Sequence, residues 1–203
     1  MQLTIEGISE AITRHEPVHY ELQSHTRQAA VAVVLKVEDS DIKTLFILRA
    51  SHEGDPWSGH MAFPGGHREE SDELLRHTAE RETLEEIGLD LIAHGRFIGE
   101  IDAVRANPRG RDLDMIVTPF VYLLENVDAS MTANYEVADI LWGSLNDMHS
   151  GESLTTGEFK VQGEQHRFPG YGVGGQIVWG LTYRMVDQFF GLLDPNWEPR
   201  DEF

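Results

Sequence analysis

Three carboxylates crowd one short stretch of the chain. Glu82, Glu85 and Glu86 stand at i, i+3 and i+4, a spacing that sets side chains on one face of a helix. Acids held so close repel one another unless a cation sits among them, and an oxygen-only donor set suits a hard divalent ion, Mg²⁺ or Mn²⁺. The competing reading is a solvated acidic face. Two features weigh against it: a double glycine, Gly65-Gly66, lies upstream at a set offset, and Arg81 stands directly before the first glutamate. Glycine lets a chain turn sharply and approach an ion without a Cβ in the way.

Around this stretch, the pattern predicts the elements that must position it. Residues 28–37 form a nearly continuous β-branched run, a buried strand, and 43–49 follow after the turn-forming Glu38-Asp39-Ser40-Asp41 as the other arm of a hairpin. A loop over 54–59 and a short extended piece over 60–64 deliver the chain to the glycines. Ser71 is expected to cap the helix, with Asp72 and Glu73 in its first turn. Leu75, Ala79, Thr83 and Ile87 give it a buried stripe, and Gly88 ends it. Strands are predicted over 95–104 and 113–124, around the polar loop ANPRGRD, and over 135–145 leading into a turn or helix. Shorter strands or turns are expected at 157–163 and 165–172, helices at 3–14 and 179–193, and an exposed tail from 194. This is an α/β or α+β pattern. No repeat, low-complexity tract or linker interrupts it, so one domain over 1–203 is expected.

Composition narrows the partners. Thirty-five acids against 16 Lys plus Arg give a formal net charge of -19. That balance repels nucleic-acid backbones, so no nucleic-acid partner is expected. A phosphorylated substrate then needs metal ions and a few placed arginines. The candidates are Arg49, at the end of a strand, and Arg105, Arg109 and Arg111, around the polar loop; a guanidinium suits a phosphate better than a lysine does. Each has an ordinary surface ion pair as its alternative. Trp57, in the loop next to the glycines, is a candidate to stack on a nucleobase. The chain has no cysteine, which excludes disulfides and thiolate zinc sites. Its histidines show no H-E-x-x-H spacing, and His60 and His67 read as loop-stabilising groups. No apolar run approaches membrane-spanning length and no signal peptide is expected at Met1, so no membrane partner and a cytoplasmic location are the expectation. The sequence leaves a homodimer open.

Arg81-Glu82, Glu85-Glu86 and Gly88-Leu89 resemble the second half of the Nudix signature G-x(5)-E-x(7)-R-E-U-x-E-E-x-G-U, with Thr83 where an aliphatic residue is usual. The first half is one residue longer than the pattern, so that either Asp72 or Glu73 takes the place of its first acid. Ala62-Phe63-Pro64-Gly65-Gly66, Val117-Thr118-Pro119-Phe120-Val121, Tyr135-Glu136-Val137 and Ile177-Val178-Trp179-Gly180-Leu181-Thr182 resemble the coenzyme A diphosphatase-like branch, and the likeness spans residues 28–190. The resemblance implies an α/β/α sandwich with a mixed sheet, and hydrolysis of a diphosphate linkage in a small nucleoside diphosphate derivative. A coenzyme A-like substrate is favoured, with a nucleotide sugar or ADP-ribose as alternative. It implies Glu82, Glu85 and Glu86 as ligands of Mg²⁺ or Mn²⁺, joined by the Gly65 carbonyl, and Arg81 pairing with Glu85 to orient the carboxylates. The general base is Glu82 or Glu85, or an acid from outside the box: Glu136 first, then Glu100, Asp102, Asp112 or Asp114. A non-enzymatic reading, a binding domain that has lost catalysis, is set against the presence of all three box glutamates.

Overall fold

The computed structural model describes residues 2–51, 58–106, 114–161 and 163–200. An amphipathic helix α1 (Ile5–Arg14), capped by the Thr4 hydroxyl, buries Ile8 and Ile12. Strands β1 (Arg27–Glu38) and β2 (Asp41–Arg49) then form the expected hairpin. Its tight turn is made by Asp39 and Ser40, both at positive φ, the backbone that matches the twist of the two strands. Two short strands follow, β3 (Met61–Ala62) and β4 (Gly65–His67), and lead into α2 (Leu75–Ile87), the helix that carries the three glutamates.

The chain continues through α3 (Leu91–His94) into β5 (Gly95–Glu100), β6 (Val104–Ala106) and β7 (Met115–Leu124). The single strand expected over 95–104 is thus divided. β5 pairs with the end of β7 and β6 with its start. β8 (Val137–Ser144) runs into α4 (Leu145–Ser150). A three-stranded meander follows, of β9 (Leu154–Val161), β10 (Glu164–Val173) and β11 (Gln176–Trp179), and α5 (Gly180–Leu193) comes after it. The main sheet is mixed: β1 lies parallel to β7 over Arg27–Leu35 and antiparallel to β2 and β4 on its other side.

Alternation along β1 divides the core. Ala30, Ala32 and Val34 pack with α2, through Ala79 and Ile87, on one face. Ala29, Val33 and Leu35 pack on the other with α1, α5 and the small sheet. The sheet is therefore covered on both faces by helices, and the glutamate helix lies on one of them. Among the described residues no helix is long and apolar enough to cross a membrane.

Two local expectations are corrected. Ser71 does not cap α2: the helix begins at Leu75, and the Leu74 amide donates to His77 Nδ1 at 3.4 Å. Asp72 is spent elsewhere, as described below. Nor is the tail from 194 simply exposed: Trp197 stacks on His149 with ring centroids 5.1 Å apart and donates from its indole to Asp187 at 2.9 Å, and Arg200 donates to the His149 carbonyl at 2.8 Å.

Candidate active site

The double glycine is explained by two close approaches. A Cβ on Gly65 would lie 2.2 Å from the Ala30 carbonyl oxygen of β1, and a Cβ on Gly66 would lie 2.4 Å from Glu82 Oε1. Strand β4 thus lies tight against β1 on one side and leaves room for a carboxylate on the other; alanine at either position would displace one or both. The Gly65 amide donates to Glu86 Oε2 at 2.9 Å. In this structure Gly65 therefore meets the cluster through its N–H, and a role for its carbonyl belongs to the proposal below.

Glu86 is 2% exposed. Burial dominates its proton affinity and pushes its carboxyl up to about 8, against the pull of the Gly65 amide and of Arg49, with Glu82 and Glu136 adding repulsion. Arg49 Nη1 lies 3.9 Å from Glu86 Oε1. Burial also raises Glu82, opposed by Arg81 and reinforced by Glu85 and Glu136. Glu85 is more exposed, at 57% of its side chain.

Arg81 is the hub of the positioning network. Its guanidinium donates to both Asp72 oxygens at 3.2 and 3.1 Å, to Glu82 Oε1 at 3.0 Å and to the His67 carbonyl at 3.0 Å. Glu85, the partner expected from i+4 spacing, is more distant at 3.4 Å. Asp72 also accepts from the Thr78 hydroxyl at 2.8 Å and the Glu69 amide at 2.9 Å. The Arg81 hydrogen bond, above all, holds its carboxyl down at about 2 and raises Arg81 in return. Between the two acids left open by the longer box, Asp72 therefore takes the structural place and Glu73 is exposed.

A third strand of support was missed in the sequence. Asn134 donates from its amide backbone to the Glu86 carbonyl at 2.8 Å and from its side chain to the Glu85 carbonyl at 3.0 Å. Its Oδ1 accepts the Glu136 N–H at 2.7 Å. One residue thereby closes the C-terminal turn of α2 and places Glu136 beside the cluster. The available signal was an Asn two residues before that acid, a residue type that satisfies neighbouring backbone groups in turns.

The structure thus brings together Gly65, Glu82, Glu85, Glu86, Arg81, Arg49 and Glu136. It gives the remaining candidates other partners. Arg105 pairs with Asp114 at 3.3 Å and lies over the Tyr20 ring. Glu100 pairs with His19 and Asp102 with His15, at 3.1 and 2.7 Å. The acids Glu100, Asp102 and Asp114 are therefore committed to structural pairs and not to the cluster. His60 packs its ring edge against Trp179. Trp57, Arg109, Arg111 and Asp112 lie outside the described residues.

The donor set fits a hard divalent cation: four carboxylates, Glu86 buried and Glu82 and Glu136 half-buried, with their charge only partly offset by Arg49 and Arg81. Among the described residues no three acids or imidazoles converge at coordination distance. Arg81 draws Glu82 toward itself, and the Gly65 amide holds Glu86.

A mixed sheet between helices, with an acidic helix facing a glycine strand, defines the architecture of a phosphoanhydride hydrolase of the Nudix kind. Residues 26–161 match the model of the NUDIX domain, and the chain belongs to that family. An uncharacterised protein of Schizosaccharomyces pombe is 34% identical over 64% of the chain, which spans 45% of that longer relative. The mitochondrial coenzyme A diphosphatase NUDT8 of Mus musculus is 26% identical over 86% of the chain and 82% of its own length. The crystal structure of a MutT/nudix family protein from Enterococcus faecalis shares the fold, with a TM-score of 0.54, 14% identity, and coverage of 93% of this chain and 69% of that one. Family and relatives indicate a pyrophosphohydrolase, and Nudix hydrolases generally use divalent metal ions.

Proposed function

We propose that the protein is a metal-dependent hydrolase of the diphosphate linkage in a small nucleoside diphosphate derivative, with a coenzyme A-like molecule as the favoured substrate. The observation that carries this reading is the buried Glu86, whose carboxylate stands among other acids with one backbone donor, the Gly65 amide, and the Arg49 guanidinium 3.9 Å away. Glu82, Glu85 and Glu86, with the Gly65 carbonyl, would hold Mg²⁺ or Mn²⁺. The bound ion supplies charge neutralisation at the phosphates and a more acidic water. Around it, Arg49 faces the phosphate being cleaved, while Arg81, locked by Asp72, keeps Glu82 aimed at the glycine strand. Glu82 or Glu85 takes the proton of the attacking water, with Glu136 as the third candidate. Water attacks one phosphorus, the bond to the bridging oxygen breaks, and two phosphomonoesters leave.

Likeness to the mouse coenzyme A diphosphatase, together with the branch-like segments around residues 62–66 and 177–182, supports the substrate class. Just before Ala62-Phe63-Pro64-Gly65-Gly66, the basic and histidine positions usual in the coenzyme A diphosphatase-like branch are replaced by DPWSGH at 55–60, and this keeps a nucleotide sugar or ADP-ribose as the second reading. Purified protein incubated with coenzyme A, ADP-ribose, nucleotide sugars and dinucleoside polyphosphates, in Mg²⁺ or Mn²⁺, decides between them. Turnover of coenzyme A fastest supports the proposal. No turnover of any of them, or unchanged rates in Glu85→Gln and Glu86→Gln, overturns it.

A further inference from the structure

The small sheet carries a feature that the hydrolytic site does not use. The strand register sets Gly157, Phe159, His166, Phe168, Gly170, Ile177 and Trp179 on one face. The opposite face, with Tyr171, Val173 and Val178, is buried in the core. On the outer face, Trp179 stacks on Phe159 with centroids 3.8 Å apart and planes 14° from parallel, and Phe168 lies 5.2 Å away. None of these three rings is fully buried. Gly157 and Gly170 give them their floor: a Cβ there would lie 2.5 Å from Phe159 Cε2 and 2.6 Å from Ile177 Cγ2. The result is a partly exposed shelf of stacked rings on the outer face of the sheet.

Its location decides what it could take. The His60 ring meets Trp179 edge-on at 4.5 Å, and the His60 carbonyl accepts the Arg49 N–H across β2 and β3. The register there pairs Ile47 with Ala62 and Leu48 with Met61. Leu48 and Met61 pack on the α1/α5 face and Ile47 and Ala62 on the α2 face, so alternation turns Arg49 and His60 together toward α2. Directly opposed side chains lie about 5 Å apart. The shelf thus begins one cross-strand step from the arginine that faces Glu86. The Thr182 hydroxyl, donating to the Met61 carbonyl at 3.1 Å, fixes the start of α5 against β3 and keeps that spacing.

We propose that the Trp179–Phe159–Phe168 shelf, flanked by His60, is the base subsite, on which the flat ring of the substrate's nucleoside stacks while its phosphates reach back to Arg49 and the α2 carboxylates. This rests on the hydrolase reading for its orientation, but stacking itself needs neither metal nor turnover. A neutral ring contact also suits a chain of net charge -19, which cannot draw a nucleotide in by charge. Stacking of a base on an aromatic side chain is worth about 1–3 kcal/mol, roughly a fivefold to hundredfold change in affinity.

The test is binding of adenosine 5′-monophosphate in EDTA, measured by calorimetry and by the indole N–H resonance of Trp179, assigned with Trp179→Phe. The expected result is binding at least tenfold tighter than that of ribose 5-phosphate, with a shift of the Trp179 resonance. Trp179→Leu should lose most of that preference and leave ribose 5-phosphate unchanged, and Phe168→Leu should lose about threefold. Equal binding of the two ligands overturns the proposal, as does a Trp179 resonance that stays fixed while others move. The resonance in the unaltered protein decides the matter even if a variant fails to fold. Base-dependent binding without hydrolysis of any diphosphate would leave the shelf standing and remove the hydrolase reading instead.

Discussion

Asp72 and Glu86 are both nearly buried carboxylates of the same loop-helix unit, 6% and 2% exposed, yet their surroundings are opposite. Asp72 receives two guanidinium bonds, a hydroxyl and an amide, and its carboxyl is held at about 2. Glu86 receives one amide, stands among other acids, and is pushed up to about 8. A satisfied buried carboxylate holds structure together. One with too few donors is costly in an apo protein, and that cost supports the proposal that a cation completes the site. The comparison separates the support of the site from its chemistry within fifteen residues.

The largest expected effect falls on the Glu86 side. Glu86→Gln should lower diphosphate hydrolysis by about 10²-fold or more, beyond the loss typical for a partner of a metal ligand, while thermal stability in chelator holds at neutral pH and rises above pH 8, where the variant removes a buried charge. A fall in activity that merely tracks a fall in melting temperature would show that Glu86 is structural, as Asp72 is.

Asp72→Ala should do the reverse. Stranding Arg81 should destabilise the fold by about 2 kcal/mol, a drop of roughly 4–8 °C in Tm for a chain of this size. Unchanged melting would remove the distinction between the two carboxylates.

A smaller effect sharpens the same point through pH. The Asp72 carboxyl lies below its ordinary 3.8, at about 2. Its contribution is therefore complete above about pH 4 and is lost as pH falls toward 2. In acid unfolding followed by circular dichroism, Asp72→Asn should lack the part of the pH dependence that falls in this window. An identical acid profile for the two proteins would contradict the clamp.

Much of this was legible in the residues. The β-branched run of β1, the Glu38–Asp41 turn and the Ala79–Thr83–Ile87 stripe are local patterns, and each forms the element expected. The helix that carries Glu82, Glu85 and Glu86 was legible from spacing, but its geometry buries Glu86 and leaves Glu85 exposed, a difference that spacing does not show. What sequence could not show depends on long-range partners. Ser71-Asp72-Glu73 has the composition of a helix start, but Arg81 and Thr78, a turn or more along, claim Asp72, and the helix starts at Leu75 instead. Arg81 does reach Glu85 as its spacing implies, at 3.4 Å, but tertiary packing adds Asp72, Glu82 and the His67 carbonyl at shorter distances. Arg105 and the acids Glu100, Asp102 and Asp114 carry no local sign of the ion pairs that occupy them. The aromatic shelf has no local signature because Phe159, Phe168 and Trp179 meet only through the β9–β10–β11 register, in stretches short and glycine-rich enough to read as turns. Trp197, in a stretch of polar and proline residues, reads as exposed until His149 and Phe190 are placed beside it.

Mn²⁺ binding tests, without any assumption about substrate, whether a divalent cation completes the cluster around Glu86. Calorimetric titration of the protein at pH 8 should show Mn²⁺ bound, with a rise in Tm of roughly 5–10 °C at a hundredfold excess over Kd. Both effects should be lost in Glu86→Gln and retained in Asp72→Asn. No Mn²⁺ binding by the unaltered protein, or equal binding by Glu86→Gln, would contradict the cation proposal.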